Sequence, residues 1–150
     1  MVLLVEDNTE DLELMMYAIR GSQLASSISV VRDGEEALDF IFCRGNFCDR
    51  PPDKMPRLVI LDLKLPKVGG LEVLRNIKEN LRTRLIPVVV LTSSKEERDL
   101  LECYQSGANS YIQKPMSFEE FRDTVKKVGA YWLGINEPLP ASALRSRVSA

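Results

Sequence analysis

Apolar residues fall along the chain in two alternating patterns. Val2–Val5, Ile28–Val31, Leu58–Asp62 and Pro87–Thr92 are short, nearly continuous runs, and Ser110–Gln113 is a weaker fifth. Runs of that length, rich in β-branched residues, read as strands, and unbroken ones suit strands buried on both faces. Between them apolar residues recur at three- and four-residue spacing. Leu12, Met15, Met16 and Ile19 mark a first helix, with Asn8 or Thr9 placed to cap it and Gly21 to end it. After an Asp33-Gly34 turn pair come Ala37, Leu38, Ile41 and Phe42; later stripes are Leu71, Leu74, Ile77 and Leu81, then Leu100, Leu101 and Tyr104 within Lys95–Gln105. Phe118, Phe121, Val125, Val128 and Trp132 predict a fifth helix with one inward stripe. Residues 44–56, rich in Pro, Gly, Asp and Asn, read as a long surface loop.

Strands that alternate with helices build a parallel sheet covered on both faces. Right-handed crossovers then leave a doubly wound sheet, a three-layer α/β/α sandwich. For five strands the common order is the flavodoxin-like 2-1-3-4-5. Ligands of such sheets bind outside the carboxyl ends of the strands, so that rim is where chemistry is to be sought.

Composition narrows the chemistry. The 150 residues include 20 Lys+Arg, 22 Asp+Glu and no His, for a net charge of −2. Near-balanced charge argues against a nucleic-acid partner gripped through a basic footprint. Without histidine there is no Ser-His-Asp or Cys-His pair, no His-ligated zinc and no histidine general base. Cys43, Cys48 and Cys103 make an odd count without a signal-peptide pattern, which suits free thiols in a reducing compartment. No apolar run approaches the ~18 residues of a membrane span, so a cytoplasmic protein with no membrane partner is expected.

The carboxyl ends of the strands carry a distinctive set. Glu6-Asp7 follows the first strand, Asp62 ends the third, Thr92 ends the fourth, and the fifth runs into Lys114. Crowded carboxylates repel and raise one another's pKa unless a cation sits among them. An oxygen-rich, imidazole-free set suits Mg²⁺ or Mn²⁺. A divalent ion commonly meets phosphate oxygens there, and Lys114 and Thr92 offer a point charge and a hydroxyl to bind them. Asp62 is then placed to take a phosphoryl group as an acyl phosphate.

Val5-Glu6-Asp7-Asn8, Leu61-Asp62-Leu63-Lys64-Leu65-Pro66 with Gly69-Gly70, Leu91-Thr92-Ser93-Ser94 and the run Ser106–Pro115 together resemble a two-component response-regulator receiver domain. The resemblance implies Asp62 as phosphoacceptor and Asp7 as direct Mg²⁺ ligand. Glu6 would reach the metal through water, and Lys64 would lend its backbone carbonyl. It further implies Thr92 and Lys114 as phosphoryl-binding residues and Tyr111 as the switch aromatic. A sensor histidine kinase is the implied partner, and the chain would be a signalling module, not an enzyme. The 44–56 loop and the tail from Tyr131 through Pro140 resemble the stand-alone regulators of cyanobacterial and other bacterial phytochromes, which makes a phytochrome the expected kinase.

On this reading residues 1–133 form the receiver and 134–150 a C-terminal extension without an output domain. A homodimer through the fourth helix, fifth strand and fifth helix is expected, with Tyr131, Trp132, Leu133, Ile135 and Leu139 contributing. Two rivals remain. A haloacid-dehalogenase-like phosphatase would need a second Asp two residues after the nucleophile, where this chain has Lys64. A pseudo-receiver that only binds partners would lack one of the site residues, and here all are present.

Overall fold

The structure is a computed structural model that describes residues 1–21, 27–140 and 143; the remainder of the 134–150 extension lies outside the described residues. The strands are β1 (Val2–Val5), β2 (Ile28–Val31), β3 (Leu58–Leu61), β4 (Val88–Thr92) and β5 (Ser110–Gln113). The helices are α1 (Thr9–Gly21), α2 (Gly34–Ile41), α3 (Gly70–Glu79), α4 (Glu97–Gln105) and α5 (Phe118–Gly129). All strand pairs are parallel, and the order is β2-β1-β3-β4-β5, as expected from the sequence.

Every residue of β1, β3 and β4 is buried, while β2 and β5 are only partly covered. The unbroken apolar runs are thus the central strands, and the mixed one is an edge. Side chains alternate across the sheet. Leu3, Val5, Val59, Leu61, Val88 and Val90 pack with Ala37, Phe40, Ile41, Val73, Leu74, Ile77 and Cys103 from α2, α3 and α4. Val2, Leu4, Leu58, Ile60, Val89 and Leu91 pack with α1 and α5 on the other face.

Local details depart from the sequence reading. Asp33 is a helix cap, not a turn residue: its Oδ1 accepts the Glu36 N–H at 2.7 Å. Leu81 lies beyond the end of α3 and is exposed, and Val73 takes the inward place. On α4, Leu100, Leu101 and Tyr104 face solvent, and the residue that reaches the core is Cys103. Spacing alone did not fix which side of α4 faces inward, because this short helix buries one residue. Phe118, at the first position of α5, is exposed too; the inward stripe is Phe121 and Val125, with Val128 partly buried.

The 44–56 loop is ordered by one side chain. Arg50 donates to the carbonyls of Phe40 (2.9 Å), Ile41 (3.3 Å) and Lys54. Its guanidinium lies 4.4 Å from the centroid of the Phe40 ring. Phe47 meets Phe40 edge-on, centroids 5.1 Å apart, from a short 3₁₀ turn at Gly45–Phe47. After α5 the chain continues as a π-helical turn, Ala130–Ile135, that buries Leu133 against the α1/α5 side of the sheet.

Candidate functional site

Register places the predicted residues at one rim. Val5 pairs with Leu61 and Leu61 with Val90, so Glu6 and Asp62 emerge at the same level, and Thr92 lies one residue further along β4 at the same rim. Asp62 is 7% exposed, Glu6 1% and Thr92 0%, while Asp7 is open to solvent. One oxygen from each of Glu6, Asp7 and Asp62 falls within 4.8 Å of the others.

Lys114 enters from β5. Its backbone N–H donates to the Thr92 carbonyl at 2.7 Å, which ties it to the end of β4. Its Nζ donates to Glu6 Oε2 at 2.8 Å, Asp11 Oδ2 at 2.9 Å and Asp62 Oδ2 at 3.0 Å. Asp11 is the residue that sequence reasoning missed. The available signal was its spacing: it lies one helical turn beyond Asp7, in the first turn of α1, and so returns to the same rim.

Two glycines permit close backbone approach, Gly70 to Asp62 and Gly34 to Val68. A Cβ on Gly70 would lie 2.1 Å from the Asp62 carbonyl oxygen, and one on Gly34 would lie 1.8 Å from that of Val68. The start of α3 therefore abuts the Asp62 main chain, and the Gly70 N–H donates to the Leu63 carbonyl at 2.9 Å. Lys64, expected to offer its carbonyl, points its N–H at Asp62 Oδ1, 3.3 Å away. Neighbouring loops are pinned as well. Arg32 donates to the Asp7 carbonyl at 3.2 Å and to the Thr9 hydroxyl at 2.6 Å. Asn8 caps α1 through the Asp11 N–H at 2.9 Å.

Thr92 Oγ1 accepts the Ser94 N–H at 3.3 Å. The Ser94 hydroxyl donates to Asp99 on α4, and its carbonyl accepts the Tyr111 hydroxyl at 3.3 Å. Tyr111 is partly buried against the core. One loop thus touches Thr92, α4 and Tyr111.

Burial pushes the Glu6 carboxyl up to about 7; the hydrogen bond from Lys114 opposes this, and the charge of Asp62 adds to it. For Lys114 the largest effect is burial, which disfavours its charge. The hydrogen bonds to Glu6 and Asp11 and the charges of Asp62 and Glu6 outweigh it and hold the ammonium protonated well above the ordinary lysine range. The donor set consists of oxygens, several of them charged, as Mg²⁺ or Mn²⁺ requires, and the exposed Asp7 leaves one side open to water.

A pH dependence follows for the metal-free protein. The Glu6 pKa rises from 4.5 to about 7 on folding, so the folded state binds more protons in that interval. Its contribution is fully present below pH 4.5 and is lost as pH rises through 7, by about 3 kcal/mol. Urea melts in chelator will show stability falling across that window in wild type, and a flatter profile in Glu6→Gln. An equal slope in both proteins would contradict the assignment.

Comparison with known proteins decides the family. Residues 2–126 match the response regulator receiver domain. The chain belongs to that family. It is 45% identical over 141 residues to a probable methanogenesis regulatory protein, FilR2, of Methanothrix harundinacea, across 93% of this chain and 88% of that one. It is 36% identical to response regulator Rcp1 of Synechocystis over 88% of each chain. Rcp1 solved in its Mn²⁺-bound form superposes with a TM-score of 0.87, covering 93% of this receiver and 98% of Rcp1. The phosphorylated cyanobacterial phytochrome response regulator RcpA gives 0.87 at 34% identity, covering 93% and 97%. Receivers of this family are signalling proteins, and the acidic cluster here is one able to bind a divalent metal. Among the described residues no helix is long and apolar enough to cross a membrane.

Proposed function

We propose that Asp62 accepts a phosphoryl group from the phosphohistidine of a sensor histidine kinase, that this kinase is a phytochrome, and that the receiver then switches its α4–β5–α5 face in the cytoplasm. The observation that carries the reading is Lys114 Nζ seated 3.0 Å from a buried Asp62 carboxylate at the rim. Phosphorylated RcpA and Mn²⁺-bound Rcp1 support it by similarity.

In the transfer, an Asp62 oxygen attacks phosphorus in line with the departing imidazole. An O–P bond forms, the N–P bond breaks, and the imidazole leaves with the bonding pair, protonated on its other nitrogen. The Lys64 N–H and the Lys114 ammonium each hold one Asp62 oxygen, which fixes the carboxylate before attack. Lys114 and the Thr92 hydroxyl then hold oxygens of the product. Glu6, Asp7 and Asp62, with the Lys64 carbonyl, would hold Mg²⁺ or Mn²⁺. When bound, that ion supplies positive charge against the crowded carboxylates and the phosphoryl oxygens.

The switch runs through Ser94. Thr92, drawn to the phosphoryl group, gives up the Ser94 N–H, and the loop that holds Tyr111 and Asp99 is freed to shift. Moving a two-state element from 1:99 to 99:1 takes ~5.5 kcal/mol. Charge-assisted hydrogen bonds at roughly 1.5–3 kcal/mol each, from Thr92 and Lys114, are of the right size.

Acetyl phosphate with Mg²⁺, followed by intact mass, tests the acceptor. One added phosphoryl group is expected; continuous hydrolysis would favour a phosphatase, and no addition a pseudo-receiver.

The receiver is also proposed to form a homodimer through the α4–β5–α5 face. Leu101 (57% exposed), Tyr104 (53%) and Phe118 (68%) give it apolar area that the fold leaves uncovered. Truncation after Val128 would strip the buried Leu133 from the core, so point variants are the cleaner probe. Light scattering at tens of micromolar should find a dimer in wild type and a monomer in Leu101→Asp/Tyr104→Asp, given a Kd of about micromolar for a modest interface. A monomeric wild type would end the dimer proposal.

A further inference from the structure

Lys114 has no donor to spare. An ammonium carries three N–H bonds, and here three carboxylate oxygens, on Glu6, Asp11 and Asp62, stand at 2.8, 2.9 and 3.0 Å. A phosphoryl oxygen on Asp62 can be gripped by this group only if one carboxylate yields its place or shares its proton. The three differ in what release costs. Glu6 is fixed at the floor of the site, 1% exposed, with its other oxygen accepting the Asn8 N–H at 3.1 Å. Asp62 carries the new ligand itself. Asp11 stands at the rim with its side chain 30% exposed, so water can replace the ammonium at its carboxylate.

We propose that Asp11 is a positioning residue that competes with the phosphoryl group for Lys114 and thereby holds down the affinity of the site for a phosphoryl ligand. The inference rests on the reading of Asp62 and Lys114 given above. Two effects act in the same direction. Asp11 occupies one of the donors, and its charge repels an incoming dianion across a site that already holds Glu6, Asp7 and Asp62. Asp11 does not belong to that three-carboxylate cluster, so its removal takes no ligand from the candidate metal site. Nor is its side chain the cap of α1: the Asn8 cap uses the Asp11 main-chain N–H. Asp11→Asn keeps the size of the side chain and drops only its charge.

The test is calorimetric titration of beryllofluoride, a phosphoryl analogue that bonds to a carboxylate oxygen, into full-length wild type, Asp11→Asn, Asp11→Ala and Asp11→Glu, at saturating Mg²⁺. Both neutral variants should bind about fivefold tighter than wild type, which is the fold-change of the roughly 1 kcal/mol ascribed to a partly exposed ion pair. Asp11→Glu, which restores the charge, should return toward wild-type affinity; a packing role would not follow charge in this way. Magnesium affinity measured separately should fall slightly in the neutral variants, since the charge that repels an anion attracts a cation, so tighter beryllofluoride binding cannot come from the metal. Unchanged or weaker binding in both neutral variants overturns this inference alone. No binding by wild type overturns the phosphoacceptor reading, and this inference falls with it.

Discussion

Asp62→Asn is expected to lower phosphoryl uptake from acetyl phosphate by orders of magnitude, as loss of a covalent nucleophile does. Asparagine keeps the shape of the side chain, and its amide oxygen can still accept the Lys64 N–H that now holds Asp62 Oδ1 at 3.3 Å. What it lacks is the anionic oxygen that attacks phosphorus. No neighbour can stand in. Glu6 is buried, its oxygens tied to Asn8 and Lys114, and burial holds its carboxyl up at about 7. Asp7 is exposed, and Asp11 lies beyond the cluster on α1. The same substitution removes a charge that helps to raise the Glu6 pKa, so the pH window of stability should contract toward pH 4.5. Intact mass after acetyl phosphate treatment reads the first effect, and urea melts across pH the second. Phosphoryl addition to Asp62→Asn at the wild-type rate would move the acceptor elsewhere and dismantle the site assignment.

The legibility of this chain depended on how many constraints met at each residue. The central strands were readable to within one residue, because burial on both faces demands an unbroken apolar run: Val2–Val5 is β1 itself, while the runs read over 58–62 and 87–92 each lose one terminal residue. The convergence of the candidate site was legible for a related reason. Thr92 ends a strand and Glu6, Asp62 and Lys114 each follow one directly, so the parallel direction of the strands alone brings the four to one rim. The short helices were less legible. α4 spans nine residues and buries only Cys103, so Leu100, Leu101 and Tyr104, the apolar stripe in its sequence, lie on its outward face. Phe118 misled for a similar reason, since the first residue of a helix has no preceding turn to show which face it shares. Asp11 was hidden by its surroundings: beside Glu10 and Glu13 on α1 it looks like a solvated face, and the reach of Lys114 across the sheet sets it apart. Arg50 is a comparable case, an ordinary loop cation in the sequence that proves to hold the 44–56 segment against Phe40.

Lys114→Met should produce the largest loss of stability of any single change at the rim, and that loss should depend on pH. Methionine has nearly the volume of lysine but no charge and no donors, so Glu6, Asp11 and Asp62 lose the one cation they share. Removing one partner from a buried ion pair costs about 3–5 kcal/mol, mainly because the remaining charge is left desolvated. Glu6 offers partial relief. Its carboxyl already stands at about 7, and the Lys114 hydrogen bond is the leading influence that keeps it from rising further. Without Lys114 its folded pKa moves higher still, so at pH 5 it is neutral and the cost is small. As pH climbs past 7 the proton must be given up or held at a penalty, and the variant falls progressively further below wild type. The expected result in chelator is therefore a modest deficit near pH 5 and a deficit of about 3 kcal/mol near pH 8. Added Mg²⁺ should recover more stability in the variant than in wild type, since a divalent cation among the carboxylates replaces the missing charge. Urea melts at the two pH values, each with and without Mg²⁺, make the comparison. A deficit that is the same at both pH values would mean that the Lys114 ammonium does not balance Glu6. A variant as stable as wild type at pH 8 would mean that the three carboxylates are neutralised by something other than this lysine.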